Sequence, residues 1–200
     1  MATSIFSQLE QNRKKDIIKT CLRIVDEHGI KGMTVARIAS EIGFSESALY
    51  RHFKSKREII SMIIDATKTE AREQYKEVKK NPGNSIQDLE LLLRLHLEFL
   101  QQFPGLFRII YWDEIHIGES DMMQKLKKLT NELLSFIEDI FAKGKKEKLF
   151  GAKTDVKTAA IHFLGIVQTA FSFWTIMHRK GSLIQLGQKL LSQLVSGVRA

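Results

Sequence analysis

Apolar residues in this 200-residue chain recur every three to four positions from one end to the other, a spacing that predicts helix throughout. Over residues 8–28, Ile17, Ile18, Cys21, Leu22 and Val25 share one face, and Gly29 and Gly32 close the segment. Val35, Ile38, Ala39 and Ile42 mark a second, short helix behind Thr34, whose hydroxyl can accept a free N–H at its start. Gly43 follows where the chain must turn sharply, and Ser45 is placed to cap a third helix that carries Ala48 and Leu49 inward. Small Ala39 and Gly43 are expected to let these helices cross closely. A fourth helix starts near Ser55, packs through Ile59, Ile60, Ile63 and Ile64, and runs on over 67–80 as a mostly polar, solvated rod.

Asn81-Pro82-Gly83-Asn84 is the clearest boundary signal. Beyond it the pattern predicts a leucine-dense helix over 85–102, a break at Phe103-Pro104-Gly105, a helix over 106–116 and a long helix over 121–147. The last two helices are the most apolar. The first can be capped by Thr154 or Asp155 and is apolar nearly all round, and the second carries a stripe from Leu183 to Val198. A monomer would expose a large apolar patch, so the pair suits a four-helix interface with a second copy. Phe173, Trp174, Leu183, Leu186, Leu190 and Leu194 are the candidate dimerisation residues.

The chemistry concentrates in residues 34–56, TVARIASEIGFSESALYRHFKSK. Two short helices joined by a tight turn form a helix-turn-helix, which lays its second helix in the DNA major groove. The pattern through Thr34, Ile38, Ala39, Gly43, Ser45, Leu49, Tyr50, His52, Phe53 and Lys56 resembles the DNA-binding domain of the tetracycline-repressor (TetR) family. Ser47 stands where many members carry glycine. The resemblance implies an all-α protein with a three-helix DNA-binding domain over 1–60 and a helical ligand-binding and dimerisation domain over 61–200. It implies a DNA-contact set of Thr34, Arg37, Ser45, Glu46, Ser47, Tyr50, His52 and Lys56. Ser45, Glu46 and Ser47 would face base edges, and Arg37 would reach a guanine or a phosphate. Tyr50 and His52 would clasp the backbone, and Lys56 would meet a phosphate near the next helix's start.

Charge agrees with a polyanionic partner. The net charge is +8, and residues 1–60 hold 11 basic and 7 acidic side chains against 20 and 16 in the remainder (31 − 11 and 23 − 7), so the first third is the more basic per residue. The basic run 143–148 reads as a solvated helix end, its cations favoured by the helix dipole. A lone cysteine excludes an internal disulfide and suits the cytoplasm. There is no basic, apolar leader, and no uninterrupted apolar run of about 20 residues to cross a membrane.

Leu100, Phe103, Phe107, Ile110, Tyr111, Phe163, Val167 and Phe171 are candidate ligand-pocket residues, although aromatics at helical spacing serve a plain core equally well. Their character points to a small hydrophobic or amphipathic effector. Asp113, Glu114 and His116 match no separated metal-ligand pattern, and no metal or cofactor is expected. The sequence carries no phosphate loop, dinucleotide fingerprint or nucleophile elbow, so no enzyme is expected. The function implied is a ligand-released transcriptional repressor reading a palindromic operator as a homodimer. The alternative is an architectural or spatial DNA-binding protein acting through a protein partner.

Overall fold

A computed structural model describes residues 13–111 and 120–199, excluding the side chains of residues 13, 14, 51, 52 and 120. Among the described residues there are nine helices: α1 Arg13–Gly32, α2 Val35–Ile42, α3 Glu46–His52, α4 Lys56–Lys80, α5 Ser85–Gln102, α6 Pro104–Tyr111, α7 Ser120–Lys146, α8 Val156–Ile176 and α9 Leu183–Val198. Several boundaries have a local cause. Thr34 and Ser45 cap α2 and α3 by accepting from Arg37 N and Ala48 N, both at 3.2 Å. Glu58 reaches back to Lys54 N at 2.7 Å, and Ser55 Oγ accepts from Glu58 N, a reciprocal capping pair that starts α4. Asp155, not Thr154, caps α8 by accepting from Thr158 N at 2.9 Å, while the Thr154 hydroxyl donates to Val198 O.

The chain forms two compact units, Met1–Glu73 with Gln102–Leu129 and Gln74–Gln101 with Thr130–Ala200. In the first, α1 packs on α2 and α6, and α2 packs on α3. Ile17, Ile24, Val25, Ile38, Ile59, Ile63, Leu106 and Ile109 are fully buried there. Each such side chain contributes about 1.5–3 kcal/mol of transfer free energy. Gly105 sets how closely α6 approaches α1, because a Cβ there would sit 2.0 Å from Leu22 O. Asp65 and Ser61 both accept from Lys125 Nζ at 2.6 Å, and Arg57 pairs with Asp121, tying α4 to the start of α7.

The second unit is built from the end of α4, α5, the rest of α7, and the packed pair α8 and α9. Leu89, Leu92, Leu93, Leu97, Ile137, Phe141, Phe163, Val167 and Leu183 form its interior. The Asn81–Asn84 turn lies inside this unit and is no boundary. Lys143 Nζ fastens it by donating to Gly83 O and Asp88 Oδ2 at 2.6 and 2.7 Å. The polar end of α4 is likewise no solvated rod, because Thr67, Glu70, Ala71, Gln74 and Val78 are all buried along one stripe. Helix α8 is long and apolar enough to cross a membrane by length and composition alone. Ala159, Ala160, Phe163, Leu164, Val167, Ala170, Phe171 and Trp174 are instead buried in the unit's core.

Candidate nucleic-acid interface

Helix α3 is only two turns long, so it can spare few residues for the core. Leu49 is 1% exposed and Phe53, its C-cap, 5% exposed, and these two anchor it. Everything else described on its leading face is open. Ser45, Glu46, Ser47 and Tyr50 are exposed, with Tyr50 at 50%. The Ser45 and Ser47 hydroxyls lie 3.0 Å apart, so Ser45 serves as cap and neighbour at once. Thr34 and Arg37 are exposed on the preceding turn, with Arg37 Nη1 donating to Gly32 O at 3.4 Å. The result is a polar, hydrogen-bonding strip on a rigid helix, the form of surface that reads base edges and phosphates. The expected role of His52 falls on a side chain outside the described residues.

Gly43 holds the angle between α2 and α3. Its φ of 76° lies in the left-handed region, and its N–H closes α2 on Ala39 O and Ser40 O. A Cβ there would meet nothing within 4 Å, so the glycine is required for its backbone angle and not for close helix crossing.

Lys56 makes a contact within the first unit. Its ammonium donates to Ile30 O at 2.5 Å, and burial lowers its pKa below the ordinary lysine value. The N–H group at Lys54, near the start of α4, donates to the Glu58 carboxylate. Lys54, two residues earlier, is exposed. Cys21 is fully buried, and burial pushes its thiol up to about 12, which leaves it an inert core group.

The expected effector residues fall in both units. Leu100, Phe163, Val167 and Phe171 are buried in the second. Phe103 is buried in the first, where Phe107, Ile110 and Tyr111 are half-buried and the Phe107 and Tyr111 rings stand 4.7 Å apart. Trp112, Asp113, Glu114 and His116 lie outside the described residues.

The expected dimer residues divide by depth. Phe173 is half exposed and Leu186, Leu190 and Leu194 are half-buried, so all four present apolar surface. Trp174 and Leu183 do not: Leu183 is fully buried, and Trp174 is 7% exposed with its Nε1 donating to Gly181 O at 3.2 Å. Both are consumed by the chain's own core. Ile161, Ile176 and Met177 take their place among the exposed apolar groups of the α8 segment.

A helical fold that offers a capped two-turn helix with a polar outer face is that of a helix-turn-helix regulator. A family model described as bacterial regulatory proteins, tetR family, matches residues 17–63, and one described as YsiA-like protein, C-terminal region, matches 58–197. The chain belongs to the tetR family and is a DNA-binding transcriptional regulator. The fatty acid metabolism regulator protein of Bacillus subtilis is 23% identical over 192 residues, covering 95% of this chain and 98% of its own. The nucleoid occlusion factor SlmA of Photobacterium profundum is 23% identical, covering 78% and 81%. The fold matches FadR of Bacillus subtilis, solved with stearoyl-CoA, at a TM-score of 0.75, 21% identity and coverage of 92% and 98%. It also matches AibR, solved with isovaleryl coenzyme A and operator DNA, at 0.74, 18% identity and coverage of 93% and 97%.

Proposed function

We propose that this regulator is a homodimeric repressor that binds a palindromic operator through α3 and releases it on binding an acyl-coenzyme A thioester. The observation that carries the reading is the division of labour within α3: Leu49 and Phe53 hold the helix in the core, and Ser45, Glu46, Ser47 and Tyr50 face outward. Thr34, Arg37 and Lys54 flank that strip, Lys56 bonds Ile30 O, and His52 is proposed as a further DNA contact.

Dimerisation is supported by the apolar surface of α8 and α9, where Ile161 and Phe173 are each 50% exposed and Ile176 is 70% exposed. A water-facing patch of that kind is unusual on a monomer. The functional division follows the chain, with DNA reading in 1–60 and sensing and dimerisation in 61–200, in the cytoplasm. The effector class comes from the two structural neighbours crystallised with acyl-CoA and from the fatty acid metabolism relative. Leu100, Phe163, Val167 and Phe171, buried in the second unit, are the apolar contacts proposed for the acyl chain. Release requires only that the acyl-bound form favour a different spacing of the two recognition helices.

The test is fluorescence anisotropy on a duplex selected from random DNA by the protein itself. A palindromic selected site and a dose-dependent loss of binding with stearoyl-CoA are expected, and unchanged affinity at saturating stearoyl-CoA would refute the effector. The resemblance to nucleoid occlusion factors supports a second reading, a spatial DNA-binding protein acting through a protein partner. Selection of many dispersed sites with no response to any acyl-CoA would favour it.

A further inference from the structure

The excess charge of the chain does not sit where its recognition helix is. Residues 143–200 hold 10 basic and 2 acidic side chains, so residues 1–142 hold 21 of each (31 − 10 and 23 − 2) and are balanced. The whole net charge of +8 therefore lies from residue 143 onward, within the second unit. Both acidic groups of that stretch are engaged by the unit itself. Glu147 accepts from Ser85 N at 2.8 Å and stands 3.7 Å from Lys143, and Asp155 caps α8. Asp88, in the first turn of α5, accepts from Gly83 N at 3.0 Å and from Lys143. Lys143 is neutralised in this way. Lys80, Lys146, Lys148 and Lys153 are exposed, and among the described residues none of them forms an ion pair.

These cations stand on a fixed frame. Phe150, just after them, is buried against Phe141 with ring centroids 5.2 Å apart, in space that Gly144 leaves open. Gly151 N donates to Val198 O at 2.8 Å, and Phe150 pairs with exposed Arg199 in an antiparallel bridge. Lys145 Nζ donates to Thr154 O at 2.9 Å, closing the loop between α7 and α8 on itself. That loop and the end of α9 thus share one end of the unit. The last turn of α4, with Lys80, joins them there because Lys143 also holds Gly83 O. None of the exposed large apolar side chains among the described residues falls within 143–157. An anionic lipid surface is gripped by apolar groups as well as by cations, so this end suits a fully hydrated polyanion better.

We propose that Lys80, Lys146, Lys148, Lys153 and Arg199 form a second DNA surface, one that holds duplex by its phosphates without reading sequence. Lysine ammonium groups are mobile point charges, which meet phosphates in any register, whereas base edges need fixed and directional donors. The surface belongs to a different unit from α3, so its phosphate contacts are additional to those of the recognition strip. Its effect is to retain the regulator on non-operator DNA, where binding comes from counterion release. The inference depends on the DNA-binding class of the protein and on neither the operator symmetry nor the effector.

The test is the salt dependence of binding to a mixed-sequence duplex, followed by anisotropy with the full-length protein. One variant combines Lys146→Gln, Lys148→Gln and Lys153→Gln. A control of equal net charge combines Lys127→Gln, Lys128→Gln and Lys189→Gln, at exposed lysines elsewhere. Each lost phosphate contact lowers the slope of log K against log salt by about 0.9, so the first variant should lose about 2–3 and the control less than about 1. Lys148 has a left-handed backbone, so Lys146→Gln with Lys153→Gln carries the test, at a loss of about 2, if the triple variant unfolds. An unchanged slope overturns the proposal, as does an equal fall in the control, which would assign the effect to net charge alone. Vesicles of phosphatidylserine and phosphatidylcholine supply the other polyanion. Binding to them that the first variant loses, with its DNA slope unchanged, would make this end a lipid surface and overturn the proposal.

Discussion

Helices α3 and α8 solve opposite problems. Helix α3 has seven residues, buries Leu49, and presents small polar groups and one tyrosine to water. Helix α8 has 21 residues, buries eight of them, and still leaves Ile161, Phe173 and Ile176 exposed. A short helix with a polar outer face is complete as a folded element, and its exposed groups suit a hydrated, charged partner. A long helix with apolar groups on both sides is incomplete alone, because water must be removed from its second face. One surface therefore fits DNA and the other a second copy of the chain. The exposed side of each element, more than its core, distinguishes its task.

Changes that break this contrast should differ in size. The largest effect is expected from Phe173→Glu combined with Ile176→Glu, which puts charge on the outer face of α8 without touching its core. Sedimentation should show a monomer, and operator affinity should fall by about 10²-fold or more once two half-sites are no longer held together. A dimer that survives both changes would place the interface elsewhere.

Within α3 the two neighbours Leu49 and Tyr50 should separate folding from binding. Leu49→Ala is expected to cost about 2–5 kcal/mol of stability by leaving a cavity, read as a lowered Tm. Tyr50→Ala should leave Tm nearly unchanged and weaken DNA binding about tenfold, alike on all sequences, as for a lost backbone contact. Sequence-dependent losses in Tyr50→Ala would instead make it a base reader.

Gly43→Ala should destabilise by about 1–2 kcal/mol through its left-handed backbone angle, since the added methyl meets open space. Gly43→Asn, which tolerates that angle better, should recover part of the loss. A fully neutral Gly43→Ala would show that the turn relaxes without cost.

The smallest expected effect lies at the start of α8. Hydrogen bonding from Thr158 N holds the Asp155 carboxyl below the usual carboxylate range. Its folded pKa is depressed, so its contribution is present above the unfolded value and is lost as pH falls through the folded one. The Tm difference between wild type and Asp155→Ala should be modest at neutral pH and should vanish in acid. A difference that persists there would assign the effect to packing.

Much of the first unit was readable from residue types. Thr34 and Ser45 at cap positions, Gly43 between them, and Leu49 and Phe53 spaced around Tyr50 define α2 and α3 through interactions no more than five residues apart. Local chemistry of this kind survives in any tertiary context. The same reading gave no sign of the bond from Lys56 to Ile30 O, because that partner is 26 positions away. It also took 67–80 for a solvated rod, because threonine, glutamate and glutamine carry no outward sign of burial. Trp174 and Leu183 looked like interface residues for the converse reason: an apolar stripe does not say which of two partners will cover it.

The sequence by itself determined the helices, their caps, the turn at Gly43 and the polar face of α3, since each depends on backbone sterics and near neighbours. Only the tertiary structure decided which face of α4 is buried, that the turn 81–84 lies within a unit, and that Lys143 meets Asp88. Those outcomes depend on contacts distant in sequence, where burial is shared between elements and no single element encodes its partner.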